Sequence, residues 1–162
     1  MALSFSVFGQ KNSTIAIIPE PVTIKENRGT FILPQKVTIS HPVDAEVDAT
    51  VNFLKNKISD ATGSVVSIKS SGKSTISLQL NQIKNTTLGN EGYTLNVTSK
   101  NIIINANTPS GLFYGAQSLV QLFPHEIESK MHLTNVKWEI PTVEITDYPR
   151  VEWRGLMLDV SR

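Results

Sequence analysis

The sequence contains no cysteine. Disulfide-stapled scaffolds and thiolate metal centres are therefore excluded, although the compartment is not, since many exported bacterial proteins also lack the residue. Charge is sparse: Asp, Glu, Lys and Arg make up 18% of the chain, with a net charge of +1. Its lysines and arginines are scattered, so the basic stripe that nucleic acid requires is missing. Aromatics amount to only 7%, and the sequence shows no cluster of exposed rings for stacking on a sugar. No apolar run approaches the ~18 residues of a membrane-spanning helix. The three histidines are isolated, and His41 and His132 read as surface residues. HEIES (125–129) starts like a zinc-binding helix, but Ser129 stands where the second histidine would be and Pro124 breaks the helix. Neither metal nor cofactor is expected.

What is present is an ordinary domain's worth of patterned chain. At 162 residues and 40% hydrophobic, it can bury roughly two thirds of its unfolded surface. The stretch 21–34 (PVTIKENRGTFILP) predicts a hairpin turning at Asn27, Arg28 and Gly29. Val37 and Ile39 alternate as a further short strand. Helix signals follow over 44–62: Asp44 as cap, Val47, Val51, Leu54 and Ile58 on one face, and Gly63 as the stop. Four alternating strands come next, around Val66–Ile68, Ile76–Leu80, Tyr93–Val97 and Ile102–Ile104, with residues 99–101 as the last turn. A second helix over 109–123 has Thr108 as cap, Pro109 as its first residue and an apolar stripe at Leu112, Ala116, Leu119, Val120 and Phe123. Gly111 and Gly115 lie within it without the Lys-Ser or Lys-Thr pair of a phosphate loop, so close packing accounts for them better. A strand over about 137–145 ends the pattern.

Alternation this regular gives one buried and one wet face, which favours antiparallel pairing. Two helices with one stripe each can cover a single sheet face. The expected fold is thus α+β: a two-layer sandwich, its sheet largely antiparallel, both helices on one side. That architecture accounts for residues 15–146. Residues 1–14 are a separate tail, read either as a disordered end or as the remnant of a secretory signal; export (periplasmic, cell-surface or secreted) is the expectation carried forward. Residues 147–162 are left over, and their apolar run Leu156, Met157, Leu158, Val160 suits a strand covered on both faces.

The leftover segment carries a resemblance. IPTVEITDYPRVEWRGLMLDVSR (140–162) resembles the junction of glycoside hydrolase family 20, the β-N-acetylhexosaminidases, where an N-terminal α+β domain leads into a (β/α)8 barrel. Upstream, IIPEP (17–21), GYTL (92–95) and GLFYGAQSLVQL (111–122) are similar to further phrases of the family. The resemblance implies that 15–146 is the N-terminal domain and 147–162 a linker with the first barrel strand. It also implies hydrolysis of terminal N-acetylglucosamine or N-acetylgalactosamine, assisted by the substrate's own acetamido group rather than an enzyme nucleophile. The catalytic Asp-Glu pair of the family has no match here, so this chain alone is expected to be inactive, its partner being its own barrel.

Arg154 is the one site residue that the resemblance carries over, as a ligand of sugar hydroxyls. Barrel chemistry sits at the C-terminal strand ends, however, where Asp159 would fall, about 16 Å further along an extended strand. Asp159 is accordingly expected to be structural. The alternative to a support domain is a carbohydrate-binding or purely structural interaction module.

Overall fold

The structure is a computed structural model that describes residues 15–151, 153–155 and 157. The tail over 1–14 and the expectations placed on Leu156, Leu158, Asp159 and Val160 lie outside the described residues.

The elements run β1 (Thr23–Ile32), β2 (Lys36–Ser40), α1 (Ala45–Thr62), β3 (Val65–Lys69), β4 (Ile76–Leu80), β5 (Tyr93–Val97), β6 (Ile102–Ala106), α2 (Pro109–Leu122), a 3-10 turn at His125–Glu128, and β7 (Glu139–Asp147). The strands form one sheet in the order β1-β7-β5-β6-β4-β2-β3. Both helices start where the sequence predicted. The Asp44 carboxylate accepts from the Glu46 amide at 2.8 Å, and Gly63 closes α1 at φ 68°. The Thr108 hydroxyl accepts from the Gly111 amide, and Pro109 opens α2.

The core lies between the helices and one sheet face. Val47, Val51, Leu54 and Ile58 of α1 and Leu112, Ala116 and Leu119 of α2 are buried against Val37, Ile39, Ile76, Leu78, Leu95, Val97, Ile102 and Ile104. The helices also contact each other. On the opposite face, Thr38, Ser77, Gln79, Thr94, Asn96 and Glu144 are exposed or half-exposed. The α+β two-layer sandwich is therefore the architecture observed.

Pairing is antiparallel between β1 and β7, β7 and β5, and β5 and β6, and these ladders hold most of the paired residues. The remaining half, β6-β4-β2-β3, is parallel. Alternation could not reveal this, because it reports which face is wet and not which way a neighbour runs. Helix α1 is the crossover that makes β2 and β3 parallel. β4 is slid along β2, with Ile39 opposite Ile76, so residues 70–75 suffice to pass from one side of β2 to the other.

The hairpin expected over 21–34 is not formed. β1 is one continuous strand on β7, and its register shifts between Glu26 and Thr30. Asn27-Arg28-Gly29 is a bulge, not a turn. Gly29 has φ 118°, and its carbonyl accepts from the Thr142 hydroxyl at 3.1 Å. A glycine in this conformation serves a bulge as readily as a turn.

Candidate functional site

One end of the sandwich holds a cavity of about 660 Å³. Its walls come from the segment before β1, the start of β5, the outer side of α2 and the chain leaving β7. Each contributes a phrase singled out in the sequence: Ile17–Glu20, Tyr93, Tyr114 with Gln117, Ser118 and Gln121, and Asp147–Val151 with Arg154. Side chains explain why the phrases meet. The Gln121 amide grips the Ile18 backbone twice, accepting from its N–H at 2.9 Å and donating to its carbonyl at 3.2 Å. The Tyr93 hydroxyl lies 2.5 Å from the Ser118 hydroxyl. Asp147 accepts from the Val22 amide at 3.2 Å, tying the end of β7 to the approach of β1.

Tyr93 forms the floor and is 2% exposed. Burial pushes its phenol up from 10.0 to about 12, with the Asp147 charge adding to the effect and the Ser118 hydrogen bond opposing it. A tyrosine so placed stays neutral and serves as a hydrogen-bonding strut.

Gly92 and Gly115 permit the close approach. A Cβ on Gly92 would lie 2.3 Å from the Leu88 carbonyl oxygen and 2.8 Å from the Cβ of Tyr148. A Cβ on Gly115 would lie 2.5 Å from Cγ2 of Ile104 and 3.1 Å from the Tyr93 ring. Packing is thus what Gly115 serves, as its position in the helical stripe predicted.

Arg154 lies at the cavity mouth, about half exposed, and its Nη2 donates to Glu91 Oε2. Sequence reasoning missed Glu91. Its only signal was its place directly before the GYTL phrase, with nothing to connect it to an arginine 63 positions away. Of the lining residues, Ile18 and Val151 are exposed, and Trp153 and Met157 further along the same segment are exposed too, Trp153 by 89%.

Other expectations divide. His41 is largely covered, its Nδ1 facing the Pro42 carbonyl at 2.8 Å and Asp48 at 3.4 Å, so it is not a surface residue. His132 is exposed and sits over Gly63. Among the described residues, no group of three or more His, Asp or Glu is arranged to hold a metal, and no helix is long and apolar enough to cross a membrane. Phe113 and Tyr114 are each 40% exposed on the outer side of α2, because the stripe facing the sheet is taken by Leu112, Gly115, Ala116 and Leu119.

The model of glycosyl hydrolase family 20, domain 2, matches residues 14–148. The chain belongs to this family. Domain 2 is the non-catalytic N-terminal domain of β-hexosaminidases. A β-hexosaminidase of Porphyromonas gingivalis is 31% identical over 149 residues, covering 91% of this chain and 19% of its own length. A β-N-acetylhexosaminidase of Cellulomonas fimi is 26% identical, covering 91% of this chain and 29% of its own. Among solved structures, the N-acetyl-β-hexosaminidase of Streptomyces plicatus, in complex with thio-NAglucal, superposes with a TM-score of 0.81 at 29% identity, covering 90% of this chain and 28% of that one. The family 20 β-N-acetylhexosaminidase of Streptomyces coelicolor gives 0.81 at 30% identity, covering 90% and 29%. The chain thus spans less than a third of the length of these family 20 relatives.

Proposed function

We propose that residues 15–146 are the support domain of a β-N-acetylhexosaminidase and that 147–162 form a linker leading into its catalytic barrel. The whole enzyme would remove terminal N-acetylglucosamine or N-acetylgalactosamine by substrate-assisted, retaining hydrolysis. The observation that carries this reading is the convergence of the four family phrases on one cavity, from whose mouth the chain departs. A cavity rim with exposed Ile18 and Val151, followed along the chain by exposed Trp153, is suited to receive another folded body. The carbohydrate-binding alternative has less support. Phe53, Phe113 and Tyr114 are inclined to one another by 57° and 62° and make no flat platform for a pyranose.

Two roles compete for Arg154. Its planar fork of donors suits adjacent sugar hydroxyls, as the family resemblance implies. A link to the domain beneath it is favoured by the ion pair with Glu91, and by its position ahead of the apolar run, where a barrel strand begins and stability is served more than chemistry.

The support reading is tested by producing the barrel with and without residues 1–147. The truncated barrel is expected to be insoluble, or to melt at least several degrees lower, with p-nitrophenyl N-acetyl-β-glucosaminide as the activity probe. A truncated barrel of equal stability and turnover overturns it.

A further inference from the structure

We infer that Glu91 and Arg154 form a clasp that fixes the direction in which the chain leaves the domain after β7. The inference deepens the support-domain reading and rests on it for the clasp's purpose, though not for its existence. Glu91 is a pre-set anchor. The loop between β4 and β5 is fastened to the start of α2: the Asn107 amide donates to the carbonyls of Asn85 and Gly89 at 2.7 Å each, and the Thr108 hydroxyl donates to the Asn90 carbonyl. The Gly92 amide bonds back to the Leu88 carbonyl at 2.9 Å, and Leu88 is buried. Glu91 therefore stands on backbone held from both sides.

Arg154, by contrast, lies seven residues past the last strand, whose end is tied down by the Asp147–Val22 bond. Two contacts then join the departing segment to the loop. Tyr148 packs on Gly92 so closely that no Cβ fits, and the Arg154 guanidinium reaches Glu91. Between these points Pro149, Arg150 and Val151 line the cavity. One contact would leave the segment free to pivot; two set its heading. Both partners are over a third exposed, so the pair serves direction more than stability, exposed ion pairs contributing little by themselves.

The test is cleavage of the Arg150–Val151 bond by an arginine-specific protease, followed by mass spectrometry on this 162-residue chain. A protease samples the released segment in proportion to its population. Glu91→Gln and Arg154→Gln should each speed cleavage by roughly two- to fivefold, the range an exposed ion pair supports. The double variant should be no faster than either single one, and the exchanged pair Glu91→Lys with Arg154→Glu should return to the original rate. Unchanged cleavage in Glu91→Gln, additive effects in the double variant, or no recovery in the exchanged pair each overturn the clasp. In the longer enzyme, a raised KM in Arg154→Gln with an unchanged KM in Glu91→Gln would assign Arg154 to the sugar instead. Failure of the support-domain reading shows separately, in the truncated barrel.

Discussion

Among single residues, Tyr93 links the core to the cavity most directly. Its ring closes the core under Gly115 while its hydroxyl meets Ser118 beside Asp147. Because burial raises its pKa to about 12, the neutral phenol is favoured in the folded state. The sign follows: a raised folded pKa contributes stability that is whole below pH 10 and is lost as pH climbs towards 12, when the unfolded chain ionises first. The urea midpoint of the native chain should therefore fall steeply across pH 10–12. Tyr93→Phe should lose about 1 kcal/mol at neutral pH through the missing hydrogen bond, and its midpoint should fall less steeply over the alkaline range. Equal alkaline slopes in the two proteins would show that Tyr93 does not titrate as described.

Among the elements, helices were the most legible because each carries its own punctuation. Asp44, Gly63, Thr108 and Pro109 are local signals, and they mark helix ends to within a residue. Strands were legible in position but not in direction, since alternation is a property of one strand and pairing a property of two. The β1 bulge was hidden because Asn-Arg-Gly satisfies a turn equally well. At the candidate site, the phrases themselves could be read, whereas Glu91–Arg154, Gln121–Ile18 and Tyr93–Ser118 could not. Each joins residues at least 25 positions apart, and no periodicity encodes such a distance. The loop before β5 offers the sharpest check at this scale. Gly92→Ala would drive a methyl group into the Leu88 backbone and against Tyr148, where neither neighbour is a flexible side-chain end. Overpacking of this kind costs about 1–3 kcal/mol, and calorimetry should show melting lowered by roughly 3–10 °C. An unchanged melting temperature would mean that the loop yields freely and that Gly92 does not set its seat.

For the whole molecule, the arrangement argues that this chain holds and does not react. Hydrolysis of a glycosidic bond needs a carboxylic acid within hydrogen-bond reach of the leaving oxygen, and substrate assistance removes only the need for an enzyme nucleophile. Among the described residues, the cavity offers three carboxylates, Glu20, Glu91 and Asp147. Glu91 is held by Arg154. Asp147 is engaged by the Val22 amide and lies beside a phenol held neutral by burial. Glu20 is left exposed on the segment before β1, with no second acid among the described residues positioned to orient an acetamido group. The purified 162-residue chain should consequently release no p-nitrophenol from p-nitrophenyl N-acetyl-β-glucosaminide above a buffer blank. Residual turnover would have to be traced before it counted. If it survived repeated purification and disappeared in Glu20→Gln, the cavity would be a catalytic site in its own right. If it survived in Glu20→Gln, Glu91→Gln and Asp147→Asn alike, it would come from a contaminating hydrolase. Only the first outcome contradicts a domain whose polar groups are spent on tying four segments of its own backbone together.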